Sequence, residues 1–164
     1  MIERVGIDAA PALQRLLERS AEFWTLCEGA PPEPDAAAKE LAFCAPGRTA
    51  EDTFSFGVYE GEAMIAFAQV LRDFPKPSEW FLSLLMLAPE HRGRGLGPEV
   101  HRQVLDFLAA QGATTLWLAV LAQNERAHRF WMRLGYVERE RQPRVGEAGL
   151  VSEAILMILP VEAC

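Results

Sequence analysis

The eight residues His91-Arg92-Gly93-Arg94-Gly95-Leu96-Gly97-Pro98 form a glycine-studded turn. An apolar run over 80–87 precedes it and an amphipathic stretch over 98–111 follows, which is the order of a strand, a loop and a helix. Glycines let the backbone approach a ligand closely, and the N-terminus of a helix attracts anions. The two arginines add positive charge. The pattern predicts an anion-binding loop, although a plain turn with solvated arginines would also fit it.

Two common phosphate loops do not match this segment. A dinucleotide-binding Gly-x-Gly-x-x-Gly loop that starts at Gly93 would need a glycine where Pro98 stands. A Walker A loop ends in Gly-Lys-Ser/Thr, whereas this loop ends in Gly97 and Pro98. The pattern Arg/Gln-x-x-Gly-x-Gly/Ala is met by Arg92, Gly95 and Gly97. In this respect the segment resembles the pyrophosphate-binding motif of the GCN5-related N-acetyltransferases, the GNAT superfamily.

A second segment makes the resemblance specific. About thirty residues after the loop, the sequence NERAHRFWMRLGY runs from Asn124 to Tyr136. It is similar to the Asn-x-x-Ala-x-x-Phe-Tyr/Trp-x-x-x-Gly-Phe/Tyr helix of the same superfamily. The resemblance is strongest over residues 80–137 and weakest over the first fifty residues.

The resemblance implies a fold and a cofactor. It implies an α/β chain with the GNAT-type mixed, mainly antiparallel central sheet flanked by helices, as one domain over residues 1–164. The strand before the glycine loop would splay from the next strand, and acetyl-CoA, the co-substrate, would lie in the opening. The strand backbone would bind pantetheine and the acetyl carbonyl, and the loop would hold the pyrophosphate. The cofactor-binding residues implied in this way are Leu85, Met86, Leu87, Arg92, Gly93, Arg94, Gly95, Leu96, Gly97 and Asn124.

Hydrophobic patterning independently predicts alternating strands and helices with a hairpin at each end, hence a mixed α/β sandwich. Strands are expected over 2–7, 53–59, 63–72, 80–87, 115–121, 137–141 and 151–159. Helices are expected from Asp8, as the cap, to about Trp24, and over 36–43, 98–111 and 124–134, with a loop over 143–149. The run 80–87 is apolar on both alternations, which predicts a central strand covered on both faces.

Composition limits the function classes. A chain of 164 residues that is half hydrophobic suits one globular domain. Its net charge of −7 argues against a general nucleic-acid or acidic-membrane binder. No apolar run reaches the length of a membrane span, and Cys27, Cys44 and Cys164 lack metal-ligand spacing. We expect a soluble cytoplasmic protein with reduced thiols and no metal, and the sequence leaves open whether it is a homodimer.

The resemblance implies N-acyl transfer, with acetyl as the default group, from acetyl-CoA to a primary amine of a small molecule or peptide. The amine would attack directly in a ternary complex, where proximity and a backbone N–H aimed at the developing oxyanion lower the barrier. Two alternatives stay open: an acyl-CoA-binding regulatory domain without turnover, and a structural domain that binds no cofactor. The acidic net charge favours a cationic acceptor through electrostatic steering.

The groups that move protons are less clearly marked. An amine is mostly protonated at pH 7, so a base or a water chain must take its proton. Glu79 and Ser83 are the catalytic candidates, because they share strand parity with the residues expected to bind the acetyl group, unless a bulge breaks that parity. The tyrosine that the family uses to protonate the thiolate falls at Trp131, whose indole is not an acid. Water or a neighbour such as His128 would then assist the leaving thiolate.

Four aromatic residues have two interpretations each. Phe23 and Trp24 lie beside the 29–35 loop, in the region that shapes substrate sites in the family, so they are candidates for substrate binding. Apolar helix residues are more commonly buried in a core, and Phe130 and Trp131 are expected mainly to pack there. Asn124 likewise has two compatible roles, as a helix cap and as a cofactor contact.

Overall fold

A computed structural model describes residues 1–146 and 148–163 of the chain. The strands are β1 (Glu3–Arg4), β2 (Thr53–Glu60), β3 (Ala63–Leu71), β4 (Glu79–Leu87), β5 (Thr115–Leu121), β6 (Val137–Val145) and β7 (Val151–Pro160). The helices are α1 (Ala10–Arg19), α2 (Ala21–Glu28), α3 (Ala36–Leu41), α4 (Leu96–Ala110) and α5 (Glu125–Arg133). The strands form one sheet in the order β1-β2-β3-β4-β5-β7-β6, antiparallel except for the β4–β5 pair. The predicted mixed α/β class, with a mainly antiparallel sheet flanked by helices, is confirmed.

β4 is the central strand, as its apolar sequence predicts, but it pairs with β5 at one end only. Residues 79–82 of β4 lie opposite 115–118 of β5, and no pairing between the two strands continues beyond Leu82 within the described residues. On its other side β4 remains paired with β3 as far as Leu87. The backbone edge of residues 83–87 therefore faces a cleft between β4 and β5 instead of a neighbouring strand.

A β-bulge lies at the point where the cleft opens. Leu82 pairs with Val70 and Leu84 pairs with Gln69, so Ser83 is the extra residue on β4. Each inserted residue reverses the alternation of faces beyond it. The expectation that Glu79 shares a face with Leu85 and Leu87 is therefore wrong.

The N-terminal helical region differs from the prediction in two ways. Asp8 does not cap the helix: it lies in a 3-10 turn (Ile7–Ala9), and α1 begins at Ala10 with Pro11 in its first turn. The helical stretch also breaks at Ser20, which separates α1 from α2. At Ser20 the backbone leaves the helical region, with φ −107° and ψ +28°, and the side chain makes no capping hydrogen bond.

Three other boundaries are corrected. β1 is shorter than predicted, α3 ends at Leu41 instead of about Phe43, and β6 runs on to Val145 instead of Arg141. The loop expected over 143–149 therefore begins only after Val145. Pro143 is tolerated within β6 because this strand is at the edge of the sheet, where a missing N–H costs little.

The core lies on the sheet beneath the helices. Phe107 of α4 packs against Phe54, Phe56 and Trp80 with ring centroids 5.0–6.0 Å apart, and α1 packs against β3. Among the described residues no helix is long and apolar enough to cross a membrane, and no cluster of side chains could hold a metal ion. Cys27 and Cys44 are free thiols. Cys164 lies outside the described residues.

Candidate active site

The cleft between β4 and β5 opens into a cavity of about 700 Å³, within the range of roughly 300–1,000 Å³ for small-molecule sites. Most of the site residues predicted from the sequence lie together on the walls of this cavity. Those that line it are Phe23, Trp24, Ser83, Leu85, Met86, Leu87, Arg92, Gly93, Gly95, Gly97, Asn124 and Trp131. Those that do not line it are Glu79, Arg94, Leu96 and His128.

The glycine loop presents a row of backbone donors to this cavity. Gly93 and Gly95 have φ angles of +72° and +83°, in the left-handed region that favours glycine. Among the described residues, no carbonyl or side chain accepts a hydrogen bond from the N–H groups of residues 93–97. A Cβ added at Gly93 or Gly95 would meet no atom within 4 Å. Unpaired N–H groups at a helix N-terminus, beside open space, are the components of an anion site.

Gly97 serves a different purpose in the same loop. A Cβ at this position would lie 3.2 Å from Cζ of Phe130. A side chain at residue 97 would press on the ring of Phe130, so the glycine lets the first turn of α4 lie close against α5. The third glycine of the motif is explained by helix packing, whereas Gly93 and Gly95 are explained by backbone conformation.

Two arginines stand near the loop. Arg92 donates from Nε to the carbonyl of Leu87, 3.2 Å away, which fastens the loop to the end of β4. Burial lowers the pKa of Arg92, and the positive charge of Arg126 lowers it further. Repulsion between two guanidinium groups would be relieved by a bound polyanion. Sequence reasoning missed Arg126, which also lines the cavity, although its place in the first turn of α5 could have indicated it.

Asn124 caps α5. Its Oδ1 accepts a hydrogen bond from the backbone N–H of Ala127 at 3.2 Å. The cap is thus confirmed. Since Asn124 also lines the cavity, the cofactor contact implied by the resemblance stays a prediction.

Glu79 lies at the paired end of β4, away from the cleft. Its Oε2 accepts a hydrogen bond from the indole N–H of Trp117 at 2.5 Å. The two carboxylates on the cavity walls, among the described residues, belong to Glu28 and Glu40. Glu28 Oε1 is bonded to Arg144 Nη2 at 2.5 Å. The base role of Glu79 stays a prediction, and its placement gives it no support.

Ser83 is held by a buried glutamine. Its Oγ donates to Gln69 Oε1 at 2.8 Å, and Gln69 itself is fully buried. Both amide protons of Gln69 are used as well: Nε2 donates to the carbonyl of Glu40 at 2.7 Å and to Ser55 Oγ at 3.2 Å. Because a carbonyl can only accept, the amide nitrogen must face Glu40, which turns Oε1 toward Ser83. The hydroxyl proton of Ser83 therefore points into the protein.

Trp131 belongs to a buried aromatic cluster. Its ring centroid lies 4.8 Å from that of Phe130, 5.4 Å from that of Tyr136 and 5.9 Å from that of His101. Tyr136 Oη and His101 Nε2 are 2.8 Å apart. Burial lowers the pKa of His101 to about 4, so this histidine is neutral at pH 7. His128 lies outside the cluster, with Nε2 3.9 Å from Glu138 Oε2.

The far wall of the cavity joins segments that are distant in sequence. Arg144 of β6 bonds the carbonyl of Cys27 as well as the carboxylate of Glu28. The N–H of Ala148 donates to the carbonyl of Glu28 at 3.0 Å, and a Cβ at Gly146 would lie 2.7 Å from that same oxygen. The C-terminal turn of α2 and the β6–β7 loop are thus packed backbone against backbone.

Comparisons with known proteins agree with this geometry. The chain matches the model of the acetyltransferase (GNAT) family over residues 13–136. It belongs to the GNAT family. A [ribosomal protein bS18]-alanine N-acetyltransferase from Salmonella typhimurium is 31% identical to it over 118 residues, which is 70% of this GNAT chain and 76% of that relative.

Other relatives are more distant or match a shorter segment. An uncharacterized N-acetyltransferase from Mycobacterium tuberculosis is 33% identical over 73 residues. This match spans 44% of this chain and 46% of that relative, which is less than half of each. The crystal structure of the ribosomal-protein-S18-alanine N-acetyltransferase from Escherichia coli superposes with a TM-score of 0.75 at 23% identity. The superposition covers 100% of this chain and 95% of the Escherichia coli chain. At that identity the superposition shows a shared fold.

Proposed function

We propose that this GNAT chain is an N-acetyltransferase that uses acetyl-CoA and acts on a primary amine by direct attack in a ternary complex. The observation that carries the proposal is the row of unpaired N–H groups over residues 93–97, which opens on the same cavity as the unpaired edge of β4. We also propose that residues 1–164 form one domain, because one sheet takes strands from both ends of the chain.

The residues present suit acetyl-CoA. The loop, with Arg92 and Arg126 beside it, offers donors and positive charge for the pyrophosphate. The open edge of residues 83–87 offers backbone groups to the pantetheine amides, much as a strand would. Bound acetyl-CoA supplies an activated thioester: the amine nitrogen forms a bond to the acetyl carbon, the C–S bond breaks, the amine loses a proton and the thiolate gains one.

Three features of the chain would promote this exchange. A backbone N–H of the open edge of residues 83–87 would stabilise the charge that develops on the carbonyl oxygen. Ser83 Oγ, whose own proton is turned toward Gln69, would accept a hydrogen bond from the amine and orient its lone pair. The apolar walls would lower the pKa of a bound amine by desolvation, so that it loses its proton to water more readily.

Turnover distinguishes this proposal from its alternatives. The purified chain is incubated with acetyl-CoA and a set of primary amines, including a peptide with N-terminal alanine because of the substrate named for the Salmonella relative. Thiol release is followed together with the mass of the product. Acetylated amine supports the proposal. CoA binding without any product would instead indicate a regulatory domain, and absence of CoA binding would indicate a structural one.

Trp131→Tyr is expected to leave kcat unchanged or to raise it. The substitution restores a hydroxyl where the family places its proton donor, near the expected position of the thiolate. The smaller ring leaves space beside Phe130 and His101, so the thermal midpoint should fall. Steady-state kinetics and thermal melts check both expectations. A severe loss of turnover in the folded variant would show that Trp131 is needed for packing or for substrate binding.

A further inference from the structure

Aromatic rings form much of the cavity wall on the side away from the glycine loop. Phe81 of β4, two residues before Ser83, packs edge-on against Phe74, with ring centroids 5.7 Å apart. Phe43, just beyond α3, lines the same cavity and remains 44% exposed. We call Phe43, Phe74 and Phe81 the aromatic wall. Large apolar groups that stay open to solvent inside a cavity mark a site for an apolar ligand.

Two hydrogen bonds tie the segment that carries Phe43 to the strands beside Ser83. The carbonyl of Phe43 accepts from Thr53 Oγ1 at 2.8 Å, and the carbonyl of Glu40 accepts from Gln69, the partner of Ser83. The aromatic wall lines the same cavity as Ser83, whose hydroxyl is proposed to orient the amine, and Phe81 precedes Ser83 by two residues on β4. Whatever carries that amine would contact these rings.

The charges on the cavity walls do not suit a polycation, because the described lining residues carry two carboxylates, Glu28 and Glu40, and four arginines, Arg92, Arg126, Arg133 and Arg144. Glu28 is bonded to Arg144, and Glu40 is the other lining carboxylate among the described residues. A polyamine would bring several ammonium groups, each of which needs a carboxylate partner once it leaves water. Although the net charge of −7 would attract any cation to the protein, the cavity itself favours a ligand with a single amine.

We infer that the acceptor is a primary monoamine on an apolar body about the size of an aromatic ring. This inference rests on the proposed function and specifies its substrate class. The amine would lie at Ser83, and its apolar body would cover the aromatic wall and displace water from it. A ring on the acceptor would also gain from offset or edge-on contact with Phe74 and Phe81.

The test compares amines that differ in one property at a time. With acetyl-CoA saturating, kcat/KM is measured for 2-phenylethylamine, ethylamine and spermidine. We expect the value for 2-phenylethylamine to exceed both others by about tenfold or more. An equal or higher value for spermidine or ethylamine would overturn the inference while leaving acetyl transfer established. If none of these three amines is acetylated but the peptide with N-terminal alanine is, the inference is overturned and acetyl transfer stands. If no primary amine of the wider set is acetylated although CoA binds, the proposed function itself fails.

A matched pair of variants tests whether the aromatic wall produces this substrate preference. Phe43→Ala should lower the ratio of kcat/KM between 2-phenylethylamine and ethylamine by about tenfold, and Phe43→Leu should restore part of it. Met132→Ala is the control: Met132 is 52% exposed, so it is also a large apolar surface residue, but it does not line the cavity. An unchanged ratio in folded Phe43→Ala would show that the aromatic wall does not contact the acceptor.

Discussion

Gly95→Val is expected to lower the affinity for CoA by a hundredfold or more, to the point where binding is no longer measurable. Residue 95 has φ +83°, a conformation that a β-branched side chain strongly disfavours. Its Cβ would point into open space in front of the loop, where phosphate oxygens would lie. The variant therefore both distorts the row of N–H donors and fills the space before them.

Arg92→Ala should have a smaller effect. It removes a charge-assisted contact worth roughly 1.5–3 kcal/mol, or about ten- to a hundredfold in affinity. It also removes the bond from Nε to the carbonyl of Leu87, but the N–H groups of residues 93–97 and the dipole of α4 remain. The loss caused by Arg92→Ala should shrink as salt is raised, because screening weakens the contact in the unsubstituted protein.

Gly61→Val provides the control for backbone strain. Gly61 lies in the β2–β3 turn with φ +63°, and a Cβ there also meets no atom within 4 Å, but it does not line the cavity. Calorimetric titration measures the affinity of each protein for CoA, and circular dichroism confirms folding. We expect the affinity to be highest in the unsubstituted protein and Gly61→Val, lower in Arg92→Ala and lowest in Gly95→Val. Full affinity for CoA in folded Gly95→Val would show that the pyrophosphate does not bind at this loop. The proposal of acetyl transfer would then lose its main physical support.

The two motifs could be found from the sequence because each one is local. The glycines of the loop and the cap at Asn124 act on backbone within a few residues, so spacing alone indicates them. β4 was also predictable, since a strand buried on both faces needs an unbroken apolar run. The bulge at Ser83 was not, because it depends on how β3 and β4 pair and leaves no mark in the sequence of β4 alone.

The acceptor side of the cavity could not be assembled from the sequence for a related reason. Glu28 and Arg144 are separated by 116 residues, and the aromatic wall combines Phe43 with Phe74 and Phe81, which follow it by more than thirty residues. Contacts of this kind are set by the topology of the sheet, which periodicity does not specify. One signal was available: Gln69 is the single amide side chain within the apolar strand over 63–71, and a buried polar side chain requires partners.

Ser83→Ala is expected to lower kcat about tenfold while the KM for acetyl-CoA stays unchanged. The estimate follows from the loss of one hydrogen bond to the attacking amine, which is worth about 1 kcal/mol or slightly more. Gln69→Met should give a smaller decrease, because Ser83 Oγ would lose its acceptor at 2.8 Å and keep only the backbone carbonyl of residue 69 at 3.2 Å, which holds the hydroxyl proton away from the amine less firmly. Gln69 acts here as a positioning residue, through Ser83.

The double variant separates positioning from mere structural support. If Gln69 acts through Ser83, Ser83→Ala combined with Gln69→Met should be no slower than Ser83→Ala alone. Ser55→Ala is the matched control, since it removes another partner of the Gln69 amide but leaves the bond to Ser83 in place, and its kcat should be unchanged. Losses that multiply in the double variant, or an equal loss in Ser55→Ala, would mean that the glutamine only supports the fold. The orientation of the attacking amine would then have to come from elsewhere in the cavity.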